Sequence, residues 1–254
     1  MSLREKVSGF RTLARVFPLQ DLARFRRIRT SASGQTESFR IKQLGGMPVA
    51  CRPGTTDHQV LLDTFSGLFH LPPESLPSDA RILDLGANVG YTAAHYAVLF
   101  PTAKVYAVEM DKSNVELARR NTETFLPRVS VIHCAVWVEN GEMAYGGGED
   151  GEWAFRLEGL GGAVGRTRVP TLTLDKLCET QGIERIDFLK MDIEGAESRV
   201  LRERTAWLDR VQRVNLEVHG PMVVDEALEI LTQRGFECRR HPTHPAGILA
   251  VRRV

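Results

Sequence analysis

Residues 81–97, RILDLGANVGYTAAHYA, constrain the fold of this chain more narrowly than any other segment. An apolar strand runs into Asp84, then Gly86 and Gly90, and a helical pattern follows at once. A glycine-bearing turn between strand and helix lets the backbone come close to a ligand and aims the first helical N–H groups at it. From Arg81 onward, short apolar runs alternate with helical stretches, the pattern of a parallel sheet with crossover helices. The spacing predicts strands at Arg81–Leu85, Lys104–Val108, Val129–His133, Ile186–Lys190 and Val211–Val218, with two more at Phe236–Arg240 and Gly247–Val251. The Gly-rich stretch 139–165, containing GGGEDGEW and GLGGAVG, reads as hairpins and mobile loops added to this core.

The loop is D-x-G-x-x-x-G and not GxGxxG, so it matches a pyrophosphate site poorly. A carboxylate at the strand end, Asp84, suits a cationic or hydrogen-bond-donating ligand. The next strand, KVYAVE, ends in Glu109, 19 residues after Gly90. An acid there can accept from both hydroxyls of a ribose. The third strand ends in His133-Cys134-Ala135-Val136, where a backbone amide and an apolar wall would hold an adenine. S-adenosylmethionine, with an ammonium, a sulfonium and no phosphate, fits this set. Enzymes that bind NAD share the acid, so Glu109 alone supports an adenosyl ligand without choosing between the two.

A second cluster lies in DFLKMDIEGAESRVL. A buried-type strand ends in Lys190-Met191-Asp192-Ile193-Glu194, and functional groups of such sheets gather at strand carboxyl ends. Asp192 and Glu194 share a face if the chain stays extended. Glu197 falls in the first turn of the next helix, where the dipole favours a carboxylate. The following strand, RVNLEVHGP, ends in Glu217 and His219, whose i,i+2 spacing puts both on one face. With the two strands adjacent, Asp192, Glu217 and His219 converge near the glycine loop. His219 or a carboxylate could then take a proton from an acceptor hydroxyl. Alternatively Asp192, Glu217 and His219 could bind a divalent ion such as Mg²⁺ that acidifies it.

Net charge is +1, too balanced for a general polyanion binder, so no nucleic acid partner is expected. The balance is uneven: residues 1–30 carry eight basic against two acidic groups, and the remaining 224 carry 25 against 30. Leu3, Val7, Phe10, Ala14 and Phe17 form one helical stripe, and Leu19, Leu22, Phe25 and Ile28 a second after Pro18. A basic helical extension, 1–37, is therefore expected to act as a packed helix pair, a lid, a dimer contact or a surface-seeking element. Residues 38–78 read as a hairpin turning at Gly45-Gly46, then a helix capped by Thr55 or Thr56, and 79–254 as the main domain. Four widely spaced cysteines form no CxxC pair, and no apolar run reaches signal-peptide or membrane-spanning length. A reduced, cytoplasmic protein without a transmembrane segment is the expectation.

D-L-G-A-N-V-G, V-E, the T-L-D at Thr173-Leu174-Asp175, K-M-D-I-E-G-A-E and L-E-V-H together resemble the FkbM family of S-adenosylmethionine-dependent methyltransferases, over roughly residues 50–240. R-P-G-T-T-D, with Arg52, Thr56 and Asp57, resembles the family's entry motif. The resemblance implies a doubly wound, mostly parallel seven-stranded Rossmann-like α/β sheet with an antiparallel last strand. It implies methyl transfer to a hydroxyl of a small molecule, on a sugar or other decoration of a secondary metabolite or glycolipid. It places Asp84, Gly86, Asn88 and Gly90 at the methionine part of the cofactor, Glu109 at the ribose and Ala135 near the adenine. Met110 and Asp57 join the cofactor set, and Asp192, Glu194, Glu217 and His219 face the acceptor. Asn88 stands where many class I methyltransferases have a third glycine, and Asn tolerates positive φ better than most residues. Three alternatives stand beside this reading. An NAD-dependent oxidoreductase would want GxGxxG, and an amino-directed nucleic-acid methyltransferase an (N/D)PP(Y/F) tetrapeptide. A non-catalytic adenosyl-binding protein would leave the second cluster without a use.

Overall fold

A computed structural model describes residues 11–32, 34–148, 151–157, 167–220 and 222–253, with side chains of 147–156 left undescribed. It divides into two compact units, one up to Phe69 and one from His70 onward. The sequence stripe over residues 1–10 and the GLGGAVG segment lie outside the described residues.

In the first unit, residues 11–16 are helical and a second helix, Leu19–Ile28, follows the break at Pro18. That helix buries Leu22, Phe25 and Ile28, the stripe read from the sequence. Strands β1 (Glu37–Arg40) and β2 (Pro48–Cys51) pair antiparallel, and Gly45 and Gly46 turn between them at φ 66° and 86°. Phe17, Phe25 and Phe39 form one aromatic cluster with centroids 4.3 to 6.0 Å apart. The helix Asp57–Leu62 has Thr56 at its N-cap position, while the Thr55 hydroxyl accepts from Asp57 N at 3.2 Å.

The second unit is built on β3 (Arg81–Leu85), β4 (Lys104–Glu109), β5 (Val129–His133), β6 (Ala135–Val136), β7 (Gly141–Gly148), β8 (Gly151–Leu157), β9 (Thr167–Leu172), β10 (Phe188–Met191), β11 (Arg213–Glu217), β12 (Phe236–Arg240) and β13 (Gly247–Arg252). Seven of them form one sheet in the order β12-β13-β11-β10-β3-β4-β5. β13 runs antiparallel to both β11 and β12, and the other neighbours are parallel. The seven-stranded sheet with an antiparallel last strand is thus present. All four residues of β10 and residues 82–85 of β3 are buried, as strands covered on both faces require.

Some strand ends differ from expectation. Ile186 makes only an isolated bridge to Val211, and the neighbouring Asp187 carboxylate accepts from Arg81 N at 2.8 Å and pairs with Arg185. The Gly-rich segment, read as added hairpins and loops, does hold the β7–β8 hairpin, but the sequence reading missed that β6 before it and β9 after it complete a four-stranded sheet, β6-β9-β7-β8. Pro170 in β9 argues against a strand, but β6 pairs only with Thr171 and Leu172, so the proline lies beyond that ladder.

The chain order reverses at β3, with β4 on one side and β10 on the other, and ligands of such sheets bind at that switch point. Gly86 sits there at φ +74°, and a Cβ on it would stand 1.7 Å from the Asp192 carbonyl oxygen. Gly86→Ala is therefore expected to cost about 3 kcal/mol or more. Gly182→Ala, at φ +64° with nothing within 4 Å, should cost only about 1 kcal/mol. Urea unfolding of both variants checks this; equal losses would sink the close-approach argument.

Candidate active site at the strand carboxyl ends

The register between β3 and β10 places Lys190 opposite Asp84. Lys190 is buried, and its ammonium donates to the Gly86 carbonyl at 2.8 Å. It lies 3.6 Å from Asp84 Oδ1 and 3.3 Å from Asp192 Oδ2. Burial opposes its charge, but Asp192 and Asp84 outweigh that and raise its pKa. Asp84 is fully buried; the Thr92 hydroxyl donates to its Oδ2 at 2.5 Å, and its Oδ1 has no hydrogen-bond partner among the described residues. Burial raises the Asp84 pKa against the pull of Lys190.

The glycine loop is pinned from the β4 side. Gly86 N and Ala87 N donate to the Val108 carbonyl, both at 3.0 Å. Asn88 stands at φ 50°, so asparagine does carry a left-handed turn position there, and its side-chain oxygen accepts from Val89 N at 2.7 Å. Gly90 begins the helix Tyr91–Leu99 at φ 80°, where a Cβ would meet Ala118 at 2.9 Å. Glu109, at the end of β4, accepts from Asn88 N at 2.9 Å and Asp111 N at 2.8 Å. Burial lifts its pKa to about 6, against those backbone donors. The Met110 carbonyl accepts from His133 Nε2 at 3.0 Å. Ala135 is buried among Tyr145, Leu157 and Val169, and the Tyr145 hydroxyl donates to Asp111 at 3.1 Å. The added sheet therefore touches the loop that follows Glu109. Asp57 lies in the first unit, where its two oxygens take the backbone and guanidinium N–H groups of Arg52 at 2.7 to 2.9 Å.

The second cluster assembles at the ends of β10 and β11. Asp192, Glu217 and His219 come together, as the sequence pattern suggested they would. His219 Nε2 lies 3.2 Å from Glu217 Oε1 and 3.9 Å from Asp192 Oδ1, and its Nδ1 lies 3.2 Å from Glu197 Oε1. Burial disfavours a charged ring, yet Glu197, Glu217 and Asp192 raise its pKa to about 11. The imidazole thus carries both protons at neutral pH. Asp192 is held below the ordinary carboxylate range: its burial acts the other way, and the charges of Lys190 and His219 prevail. Glu194 turns the chain at φ 56°, a left-handed position rare for a residue with a side chain.

Glu197 is the residue whose role sequence reasoning understated. It is fully buried at the start of the helix Glu197–Glu203 and accepts from Ile193 N at 2.8 Å and Gly195 N at 2.7 Å. It organises the 192–195 turn and also fixes the His219 ring. Asp192, Glu197 and His219 each offer a donor atom within 4.8 Å of the others, the sole such group among the described residues. Both nitrogens of His219 face carboxylates, and Glu197 accepts from two backbone N–H groups besides facing the ring, so the cluster is joined as a hydrogen-bonded network. Lys190 is the other understated group; its neighbours Asp84 and Asp192, at i and i+2 across and along the strands, were the available signal.

Removing the buried cation leaves Asp84 and Asp192 without their counter-charge. Lys190→Met is expected to lose about 3–5 kcal/mol of stability. Adding Asp84→Asn should recover part of it, giving a coupling of about 1 kcal/mol or more by chemical denaturation. Strict additivity of the two losses would refute the clamp.

Among the described residues, no helix is long and apolar enough to cross a membrane. Residues 84–238 match the family described as the methyltransferase FkbM domain. The chain is 30% identical over 143 residues to the 2-O-methyltransferase NoeI of Sinorhizobium fredii, spanning 48% of this chain and 56% of that protein. It is 29% identical over 201 residues to the methyltransferase sdnD of Sordaria araneosa, spanning 65% and 77%. It is 22% identical over 160 residues to the hexuronic acid methyltransferase AglP of Haloferax volcanii, spanning 63% and 64%. The chain spans little more than half the length of NoeI. With the family's segment covering 84–238, the strand ends described above included, this chain belongs to the FkbM methyltransferase family.

Proposed function

We propose that this chain is an S-adenosylmethionine-dependent O-methyltransferase acting on a hydroxyl of a small molecule, most simply a sugar. The observation that carries the reading is the meeting of two carboxylate-bearing strand ends at one switch point. Glu109 and the glycine loop lie on one side, and Asp192, Glu217 and His219 on the other. Membership of the FkbM family supports methyl transfer, and the activities named for NoeI and AglP support an oxygen on a sugar.

The donor set fits the cofactor. A carboxylate has about four lone-pair sites, and Glu109, which takes two backbone N–H groups and the Asn114 side chain, keeps capacity for a ribose hydroxyl. Asn88, Gly86 and Gly90 shape the loop beside the methionine part, and Met110 and Ala135 border the adenine. Asp84 acts from beneath, through Lys190 and Thr92. When bound, the cofactor supplies a methyl group on a sulfonium that departs readily, so the protein mainly positions the reactants.

An alkyl hydroxyl is a weak nucleophile near neutral pH, so its proton must leave as the new C–O bond forms. His219 already carries both protons and cannot take it. Glu217 receives the proton, while the His219 cation and Asp192 orient the acceptor. Glu194 borders the same space from the strained turn.

Two outcomes test the reading. Calorimetric affinity for S-adenosylhomocysteine should fall as pH drops through about 6, because protonation removes an acceptor from Glu109. Glu109→Gln should bind weakly with a flat pH profile; wild-type affinity in that variant would refute the ribose role. Against a panel of hexuronic acids and neutral hexosides, mass spectrometry should find one singly methylated product. Glu217→Gln should then lower kcat about 10²-fold or more without changing S-adenosylhomocysteine affinity. Unchanged turnover would remove Glu217 from the proton transfer.

A further inference from the structure

His244 was not among the site residues read from the sequence, and it lies beyond the segment 84–238 that the family covers. It sits in the turn His241-Pro242-Thr243-His244-Pro245-Ala246 between β12 and β13. The turn is closed by His241 N donating to Gly247 O at 2.8 Å and Gly247 N donating to His244 O at 2.9 Å. Two prolines fix φ within it. Gly247 makes the closure possible: a Cβ there would stand 2.7 Å from His241 Cβ and 3.2 Å from His244 Cβ.

The turn is also tied to the acceptor cluster. Glu217 is the register partner of Gly247, and Val218 N donates to the Ala246 carbonyl at 3.0 Å. This carries His244 Nε2 to 3.4 Å from Glu217 Oε1, the same oxygen that His219 Nε2 approaches at 3.2 Å. Two imidazoles from separate elements thus hold one carboxylate oxygen. The Glu217 side chain is 33% exposed, so these contacts leave part of it open. Lys190, Asp192, Glu197 and His241 are the remaining charged or titratable groups around the pair.

We propose that His244 is a positioning residue of the acceptor site: with His219 it immobilises Glu217 Oε1 so that Oε2 is presented to the acceptor hydroxyl. The inference rests on the proposed hydroxyl acceptor for its consequence, though not for its geometry. In the transfer, the acceptor oxygen forms its bond to the methyl carbon, the carbon–sulfur bond breaks with its pair left on sulfur, and the hydroxyl proton passes to Oε2. A carboxylate pinned at one oxygen pays no rotamer entropy at that moment, so the effect should fall on kcat. The pin lies in the β12–β13 turn, outside the segment 84–238.

The test has two arms. In the crystal structure of full-length His244→Ala with S-adenosylhomocysteine, Glu217 should occupy more than one rotamer while His219 stays bonded to Glu197. One unchanged Glu217 rotamer overturns the proposal. With whichever hexuronic acid or hexoside the wild type methylates, His244→Ala should show kcat about tenfold lower, with acceptor KM and S-adenosylhomocysteine affinity unchanged. His244→Gln, which restores an N–H donor, should recover activity to within about threefold. Wild-type kcat in His244→Ala, or no recovery with Gln, overturns it. If the wild type methylates no acceptor in the panel, the functional reading fails, and the crystallographic arm still decides whether His244 positions Glu217.

Discussion

Lys190 is the interaction on which the site depends. One buried ammonium sits between the carboxylates of Asp84 and Asp192 and donates to the Gly86 carbonyl. A buried charge is costly unless paired and hydrogen-bonded, and here the ends of β3 and β10 both supply a carboxylate while the β3 end also supplies the carbonyl. The pairing joins β3 to β10, the two strands that flank the switch point. It also explains the glycine at position 86, because the clamp draws the Asp192 backbone to where a side chain would stand.

A second device is used twice. Glu109 and Glu197 are both buried carboxylates whose oxygens take backbone N–H groups of the turn beside them. Each converts a loop into a fixed shape by satisfying donors that would otherwise face solvent or go unpaired. They differ in what else they face. Glu109 is made a weaker acid by burial, with its remaining capacity toward the proposed ribose. Glu197 spends it on His219 and so holds that ring as a cation. In the proposed transfer the proton is therefore assigned to Glu217, the partly exposed carboxylate of the cluster.

Much of this was legible in the chain. Strands β3, β5 and β12 fall where the apolar runs begin and end, and the antiparallel last strand is present. The convergence of Asp192, Glu217 and His219 follows from adjacent strands with i,i+2 side chains on one face. Less legible was the β6-β9-β7-β8 sheet, whose glycines and Pro170 carry weak strand propensity and whose pairing is supplied by distant partners. The His241–Ala246 turn was equally silent, because nothing in HPTHPA points to β11 until β13 folds back beside it.

The sequence by itself determined which chemistry could be present, through strand-end carboxylates, a glycine turn and an E-x-H pair, since local periodicity dictates strand, turn and facing. Tertiary structure alone decided what each group does. Protonation of His219, the masking of Asp84 and the pinning of Glu217 by His244 all depend on charges brought within 4 Å from separate strands. Coulombic and desolvation effects at that range turn on packing, and packing is not written in the order of residues along the chain.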